Sequence, residues 1–365
     1  MLSKIKNYIV VIAASLFVFG FLAAGLILPD KEISESERRL LAEFPEVTQE
    51  TVFGGRFMTE FDKYTLDHFP LRDGFRSVKA IAAKYLFGQR DNNGIYLQDG
   101  HLAKLEYPLN EGSLSYATKR FRSIYDSYLK DSGSKVYFSI IPDKSYFLAA
   151  KNGYPTMDYD RLLTEFKKDT DYGEYIDIMP LLEIDDDDAT DTHWRQEEIF
   201  DVAQLLADKM GVTLSADYEK VEAIDSFLGV YYGQAALPID AEKLYYMQND
   251  DLSNCRVYDY TDEKYISVYN EDKLTSSDPY EFFLSGSKSL LRIENEAATT
   301  DKNLILFRDS FGSSIAPYFA EGYKSVTLVD IRYISPQTVA NFVDFENKDV
   351  LFLYSTSVLN INAIK

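Results

Sequence analysis

The sequence predicts an α/β protein with a mostly parallel sheet, an N-terminal transmembrane helix and a small β-rich insertion. Strand patterns alternate with helix patterns from residue 116 to the end of the chain, which is typical of parallel sheets. A continuous apolar run covers residues 8–28. Short tyrosine-rich strands at about 221–278 interrupt the alternation. Three regions are predicted. Residues 1–30 form a cytoplasmic stub with a signal-anchor, residues 31–95 form an extended arm with a helical part, and residues 96–365 form the α/β domain with the insertion.

The composition indicates a folded, acidic protein. The 365 residues are 46% apolar, enough for a sizeable core. The chain has 38 basic and 59 acidic residues, and the resulting net charge of −21 argues against a nucleic-acid partner. The single cysteine, Cys255, excludes an internal disulfide and a cysteine-based metal cluster. The acidic run at 185–188 lacks the spacing of a calcium loop and predicts a solvated turn, so no metal or cofactor is expected.

The apolar run at 8–28 predicts an uncleaved signal-anchor. It is long enough to cross a bilayer core, which takes about 20 residues. Lys4 and Lys6 precede it, so the amino terminus is expected in the cytoplasm and the rest of the chain outside the membrane. Ala23-Ala24-Gly25 has the small residues of a cleavage site, which leaves a cleaved, secreted form as the alternative.

The remaining elements follow from hydrophobic periodicity and from turn residues. In the region 31–95, one helix is predicted from Phe57 to Pro70, and a second over 73–87 carries Phe75, Val78 and Tyr85 on one face. Further helices are predicted at 116–129, 159–168 and 199–210, and strands at 135–141, 175–178, 304–307, 325–329 and 350–354. Right-handed crossovers would bring the carboxyl ends of the parallel strands to one rim.

A serine lies at the end of the strand at 304–307. The small residues after Ser310 allow a tight turn into a helix. Open α/β sheets place their chemistry at the carboxyl ends of strands, where backbone N–H groups of the next turn can meet a developing anion. Ser310 is therefore a candidate nucleophile, provided that a base reaches it.

Asp191 and His193 form a candidate base and orienting acid. Residues two positions apart in sequence point away from each other on a helix, but they lie on one side of a turn or extended segment. The amphipathic helix starts after them, so they are placed to cooperate. A carboxylate beside an imidazole is the supporting half of a Ser-His-Asp triad. The alternative is a helix-capping Asp with a structural His.

Taken together, these motifs resemble those of the DHHW proteins of Gram-positive bacteria and, more distantly, the alginate O-acetyltransferases of the AlgX/AlgJ type. The matching segments are Arg38-Arg39-Leu40-Leu41, Phe44-Pro45, Asp67-His68-Phe69-Pro70-Leu71-Arg72-Asp73, Pro142-Asp143-Lys144, Asp191-Thr192-His193-Trp194 and Arg308-Asp309-Ser310-Phe311. The resemblance implies an SGNH-hydrolase-like three-layer fold, with Ser310 as nucleophile, His193 as general base and Asp191 as its orienting acid. Thr192 replaces the second histidine of the family's name, and its side chain is expected to face away from the pair.

The activity implied by this resemblance is acyl transfer, with acetyl as the acyl group and an extracellular polysaccharide as acceptor. It also implies a membrane-bound O-acyltransferase (MBOAT) as the partner that supplies the acyl group. The glycine and asparagine blocks of the usual SGNH oxyanion hole have no counterpart, so Phe311, Arg308 and Asn360 are the candidates for oxyanion or substrate contacts. A carbohydrate esterase with the same triad, and a non-catalytic wall or exopolysaccharide assembly factor, are the alternatives.

Overall fold

The computed structural model describes residues 2–364, and contacts divide them into two compact units. The first, here the N-terminal unit, comprises the chain up to Asn93 together with Gly233–Pro238. The second, here the α/β unit, comprises Gly94–Tyr232 and the chain from Ile239 onward.

The N-terminal unit is mainly helical. Its elements are α1 (Leu2–Ile27), β1 (Ile33–Ser34), β2 (Arg39–Leu40), α2 (Gln49–Phe53), α3 (Arg56–Asp67) and α4 (Arg72–Ile81). Helix α4 continues as a π-helix over Ala82–Leu86. The arm predicted after the apolar run contains the antiparallel pair β1/β2 and the short helix α2. Helix α1 is long and apolar enough to span a membrane, by length and composition.

The α/β unit contains the predicted alternation of strands and helices. Its strands are β3 (Ile95–Gln98), β4 (His101–Lys104), β5 (Lys135–Ile141), β6 (Glu174–Tyr175), β7 (Glu219–Phe227), β8 (Glu242–Gln248), β9 (Arg256–Asp259), β10 (Lys264–Ile266), β11 (Leu290–Glu294), β12 (Asn303–Arg308), β13 (Ser325–Val329) and β14 (Asp349–Ser355). Its helices are α5 (Glu111–Ile124), α6 (Lys144–Leu148), α7 (Tyr159–Asp169), α8 (Phe200–Met210), α10 (Asp250–Ser253), α11 (Gly312–Gly322), α12 (Pro336–Val339) and α13 (Thr356–Leu359), while α9 (Val230–Ala235) crosses the boundary between the units.

An eight-stranded sheet forms the centre of the α/β unit, in the order β10-β9-β11-β13-β12-β14-β5-β6. The five strands from β13 to β6 are parallel, and β9, β10 and β11 add an antiparallel edge. This confirms the predicted mostly parallel sheet. Strand β12, which leads to Ser310, lies between β13 and β14, so the candidate nucleophile is at the middle of the sheet.

Helices cover both faces of this sheet. Along β12, Leu304 and Leu306 pack in one apolar core with α8 and α11. The alternate residues, Ile305 and Phe307, pack in a second core with α5 and α7. Side chains that alternate between two buried faces require a helix layer on each side, and the predicted three-layer α/β fold is confirmed.

The tyrosine-rich segment at 221–278 is divided between two structures. Strands β7 and β8 form a separate two-stranded antiparallel sheet, and α9 lies between them in the chain. Strands β9 and β10 instead extend the central sheet, because β9 pairs with β11. Alternating polar and apolar residues are common to free hairpins and to sheet edges, so the sequence pattern did not distinguish the two.

Candidate active site

Ser310 lies in the tight turn between β12 and α11, at the carboxyl end of the strand, and is half-buried. The preceding residue fixes this turn. The Asp309 carboxylate accepts hydrogen bonds from the Phe311 N–H at 3.0 Å and from the Ser355 N–H at 2.7 Å. Since Ser355 ends β14, the turn is bound to the neighbouring strand.

The structure brings Ser310, His193 and Asp191 together in one hydrogen-bonded row. His193 Nε2 lies 2.8 Å from Ser310 Oγ, and His193 Nδ1 lies 2.6 Å from Asp191 Oδ1. An ionised carboxylate only accepts hydrogen bonds, so Nδ1–H donates to it and Nε2 is left to accept from the serine hydroxyl. This is the tautomer that a general base needs.

The Asp191 carboxylate is held from the side of α9. Asp191 is buried, and its Oδ2 accepts from the Val230 N–H at 2.7 Å. A Cβ atom placed on Gly229 would lie 2.3 Å from the Asp191 Cα, so only glycine fits here. Sequence reasoning missed this contact, because nothing near Gly229 marks it as a neighbour of the Asp-x-His segment.

The imidazole of His193 is oriented by two aromatic rings. Tyr280 stacks on it, with ring centroids 4.0 Å apart and planes 6° apart, and Phe311 meets it edge-on at 4.9 Å. Burial raises the pKa of Tyr280 well above its usual value, so its hydroxyl stays protonated and donates to Ser314 Oγ at 2.8 Å. Trp194 Nε1 donates to the same oxygen at 2.8 Å. Tyr280 is a second residue of the site that the sequence did not indicate.

Comparison with solved structures identifies the fold that carries this site. The DHHW family protein from Eubacterium siraeum matches with a TM-score of 0.58 and 20% identity, over 75% of this chain and 94% of that chain. PatB1 from Bacillus cereus matches with a TM-score of 0.61 and 20% identity, over 74% of this chain and 98% of that chain. This chain has a DHHW-type fold. The relation expected from the motifs is thus shown at the level of the fold.

Two further findings complete the comparison. PatB1 has also been solved with a sulfonyl adduct, and that structure matches with a TM-score of 0.61 and 19% identity, over 74% of this chain and 97% of that chain. The O-acetyltransferase domain of Pseudomonas putida AlgJ matches with a TM-score of 0.47 and 13% identity, over 73% of this chain and 92% of that chain. No protein-family profile and no curated protein matches the chain.

Within this DHHW-type fold, β8 anchors the segment that precedes the Asp-His pair. The Glu242 carboxylate accepts hydrogen bonds from the Thr190 hydroxyl at 2.6 Å, from the Thr190 N–H at 2.7 Å and from the Ala189 N–H at 2.7 Å. The Thr190 hydroxyl in turn accepts from the Gly229 N–H at 2.8 Å. Strand β8 and the start of α9 therefore hold the same short segment.

The acidic run at 185–188 is the predicted solvated turn only in its first half, where Asp185 is exposed and Asp186 is half-buried. Asp187 and Asp188 are buried, and the buried Lys144 donates to the carbonyl oxygens of Asp188 and Leu102. The Asp188 N–H also donates to the His193 carbonyl at 2.9 Å. The prediction was wrong for Asp187 and Asp188, because a lysine remote in sequence provides an internal hydrogen-bond donor to this segment, which a local charge pattern does not reveal.

Burial changes the charge states expected in this cluster. It raises the pKa of Asp187 and of Asp188 well above the usual range and lowers the pKa of Lys144. Within residues 2–364, neither carboxyl oxygen of Asp188 has a hydrogen-bond partner. Since a desolvated carboxylate without donors is costly, the protonated form of Asp188 is favoured.

The other predicted site residues have structural contacts. Arg308 is fully buried, and its Nη1 donates to the Asp309 carbonyl at 3.2 Å and to Ser313 Oγ at 3.1 Å. The Asn360 side chain accepts from the Asn110 N–H at 2.6 Å and donates to the Pro108 carbonyl at 3.2 Å.

These contacts bear on the oxyanion candidates. Both polar ends of the Asn360 side chain are engaged by the loop before α5, and the Phe311 N–H is engaged by Asp309. The Ser310 N–H is a donor of the same turn that no hydrogen bond within residues 2–364 occupies. The Ser310 N–H is therefore a backbone donor that is available to an anion.

Proposed function

We propose that this protein is a serine O-acyltransferase that acts outside the cytoplasmic membrane and acetylates a cell-surface polysaccharide or exopolysaccharide. One observation carries the proposal: the row of hydrogen bonds from Ser310 Oγ to His193 at 2.8 Å and from His193 to Asp191 at 2.6 Å. Such a row makes a serine nucleophilic without a metal or cofactor.

In the first half-reaction, Ser310 Oγ attacks the carbonyl carbon of the acyl donor while its proton passes to His193 Nε2. The Asp191 carboxylate stabilises the imidazolium that forms. The oxyanion of the tetrahedral intermediate lies within reach of the Ser310 N–H. The bond to the leaving group then breaks, the leaving group takes the proton from His193, and the acyl group remains as an ester on Ser310.

In the second half-reaction, a sugar hydroxyl attacks the acyl-serine. His193 Nε2 takes the hydroxyl proton and returns it to Ser310 Oγ as the serine leaves. Water in the place of the sugar would give a hydrolase with the same groups. The difference between transferase and esterase therefore lies in what binds next to Ser310.

Acetyl, the polysaccharide acceptor and an MBOAT partner are supported by the motifs that resemble the DHHW and AlgX/AlgJ families. Helix α1 would be the single membrane span, with both Lys4 and Lys6 on the cytoplasmic side. The α/β unit is then extracellular, where polysaccharide is modified.

The full chain in detergent micelles can be supplied with an activated acetyl ester, with and without oligosaccharide. We expect acetylated glycan from the wild type and none from Ser310→Ala. Ser123→Ala, an exposed serine of α5, is the matched control and should keep full activity. Acetate release with unmodified glycan would favour the esterase, and glycan binding that survives Ser310→Ala without turnover in the wild type would favour the assembly factor.

A sulfonyl fluoride tests the nucleophile independently of the acceptor. We expect one sulfonyl group on the peptide that contains Ser310, detected by mass spectrometry. The rate of modification should collapse in His193→Ala, because the imidazole no longer takes the serine proton. Modification at another serine, or modification that is indifferent to His193, contradicts the proposed role.

A further inference from the structure

Helix α4 presents its apolar side outward. Leu71 precedes the helix, and Phe75 and Val78 lie in it. Tyr85 and Leu86 lie in its π-helical continuation, and the apolar side of α4 is taken here to include them. These side chains are exposed, to 75% for Leu71, 64% for Val78 and 75% for Leu86. A surface helix of a soluble protein has the opposite arrangement, with the apolar face toward the core.

The inward side of the same helix carries the buried Ala80 and two arginines that are bound there. Arg72 Nη1 lies 2.5 Å from Glu37 Oε2, and Arg76 Nη2 lies 3.3 Å from Glu37 Oε1. Arg76 Nη2 also donates to the Gly233 carbonyl at 2.8 Å. These ion pairs within the N-terminal unit fix the rotation of α4, so its apolar side points outward in the folded unit.

Contacts to α1 place the start of α4 at the level of the apolar helix. The ring of Phe21 stacks on Phe69 at 5.2 Å, with planes 7° apart, and meets Phe75 at 5.6 Å. Phe21 comes six residues before Ile27, the end of α1, and is therefore roughly 9 Å inside that end at 1.5 Å per residue. This depth matches the 5–10 Å or so to which interfacial helices insert their apolar faces.

We propose that residues 69–87 lie in the outer interface of the membrane, with the apolar side of α4 among the lipid acyl chains. The proposal rests on the membrane anchoring by α1 proposed above. The apolar side of α4 contacts lipid rather than a protein, because a bilayer that surrounds α1 at Phe21 also reaches the side chains that touch Phe21. Tyr85 and Phe87, both exposed, are aromatic residues of the kind enriched at membrane interfaces.

Depth-dependent quenching in vesicles tests this placement. The full chain, with Cys255→Ser, receives a single cysteine by Val78→Cys or Leu86→Cys, which is labelled with an environment-sensitive fluorophore. The vesicles contain phosphatidylcholine, phosphatidylglycerol and a nitroxide-bearing lipid, and no other protein. Val18→Cys in α1 and Lys168→Cys on the exposed side of α7 are the reference positions.

We expect the labels at 78 and 86 to be quenched several-fold more than the label at 168, at every protein-to-lipid ratio. Quenching of the label at 18 without quenching of the labels at 78 and 86 overturns the interfacial placement but not the membrane anchor. That result would favour a protein partner as the molecule that covers α4. Quenching at 78 that disappears as the protein-to-lipid ratio rises indicates a second copy, and likewise overturns it.

The outcome is separable from that of the proposed function. If none of the labels at 18, 78 and 86 is quenched, both the membrane anchor and the interfacial placement are contradicted. Acyl transfer, measured in the same vesicles, should be abolished by Ser310→Ala with no change in quenching. Loss of either property without the other therefore identifies which proposal has failed.

Discussion

The imidazole of His193 is constrained at both ring nitrogens and on one face of its ring. Asp191 and Ser310 occupy the two ring nitrogens, at 2.6 and 2.8 Å, and Tyr280 covers the ring face. An imidazole held in this way has its reactive orientation before substrate binds, and such positioning can account for a large part of a rate enhancement. The charge of Asp191 is the part of this arrangement that is simplest to remove.

Asp191→Asn should lower kcat for acyl transfer by roughly 10³- to 10⁴-fold, because an amide favours the wrong imidazole tautomer and does not stabilise the imidazolium. Initial rates with an activated acetyl ester measure the effect. Thr192→Val is the control in the same loop, since it removes the hydroxyl that accepts from Tyr231 and leaves the row of three residues in place. A similar loss in both variants would mean that loop geometry, and not the carboxylate, is responsible.

Lys144 has a different role, since it holds the loop behind the site. Lys144→Met should destabilise the fold by about 2 to 6 kcal/mol, because the buried carbonyl oxygens of Leu102 and Asp188 each lose this donor. The Tm is expected to fall on the order of 10 °C. Lys168→Met, at an exposed site of α7, should leave the Tm nearly unchanged. Equal Tm values for the two variants would contradict this role.

At the scale of elements, the site depends on where the segment 189–193 meets the start of α9. The Gly229 and Val230 N–H groups bind Thr190 and Asp191, at 2.8 and 2.7 Å. Strand β8 holds the same segment through Glu242. The position of the base thus depends on residues between the His and Ser segments of the chain.

Gly229→Ala should lower kcat/KM by about 100-fold, because the added Cβ displaces Asp191 and a shift of about 1 Å at a catalytic group has an effect of this size. Gly74→Ala is the control. A Cβ there meets nothing within 4 Å, and alanine favours the helix, so this variant should be neutral or slightly stabilising. Activity near wild type in Gly229→Ala, with an unchanged Tm, would contradict the tight fit.

The sequence allowed those parts of the site to be predicted that depend on local pattern. The spacing of Asp191 and His193 and the helix that follows indicate that the two side chains are neighbours, and the structure has them 2.6 Å apart. The apolar strand and the small residues after it indicate the turn in which Ser310 lies. The catalytic roles of the three residues stay predictions. The stacking of Tyr280 and the fit of Gly229 join segments remote in sequence, so periodicity does not report them. The apolar face of α4 was also predicted, but its outward direction depends on ion pairs to Glu37 that no pattern within the helix reveals.

At the scale of the whole molecule, stability should depend on pH through Asp143, the N-cap of α6. Its carboxylate accepts from Thr356 Oγ1 at 2.6 Å, from the Tyr159 hydroxyl at 2.9 Å and from the Ser145 N–H at 2.8 Å. These bonds join the ends of β5 and β14 to α7. Burial nevertheless raises the pKa of Asp143 from 3.8 to about 6.

A raised carboxyl pKa means that the folded state binds the proton more tightly than the unfolded state. The stabilisation is complete below the unfolded pKa and is lost as the pH rises through about 6, by about 3 kcal/mol in total. Asparagine at position 143 does not titrate, so only the wild type loses this stabilisation as the pH rises. The Tm of Asp143→Asn minus the Tm of the wild type should therefore increase between pH 4 and 7. Thermal melts of both proteins measure this, with the exposed Asp160→Asn as control. A Tm difference that is constant across this range would contradict the shifted pKa.

The outward apolar side of α4 also sets a condition for making a water-soluble form of this protein. Deleting α1 removes the membrane span but leaves Leu71, Val78 and Leu86 exposed, and apolar patches of this kind promote self-association. A shortened chain is therefore expected to form soluble aggregates or to retain detergent. Polar replacements on that side of α4, which leave Arg72 and Arg76 and their ion pairs intact, are the changes that a monomeric preparation for crystallisation or kinetics requires.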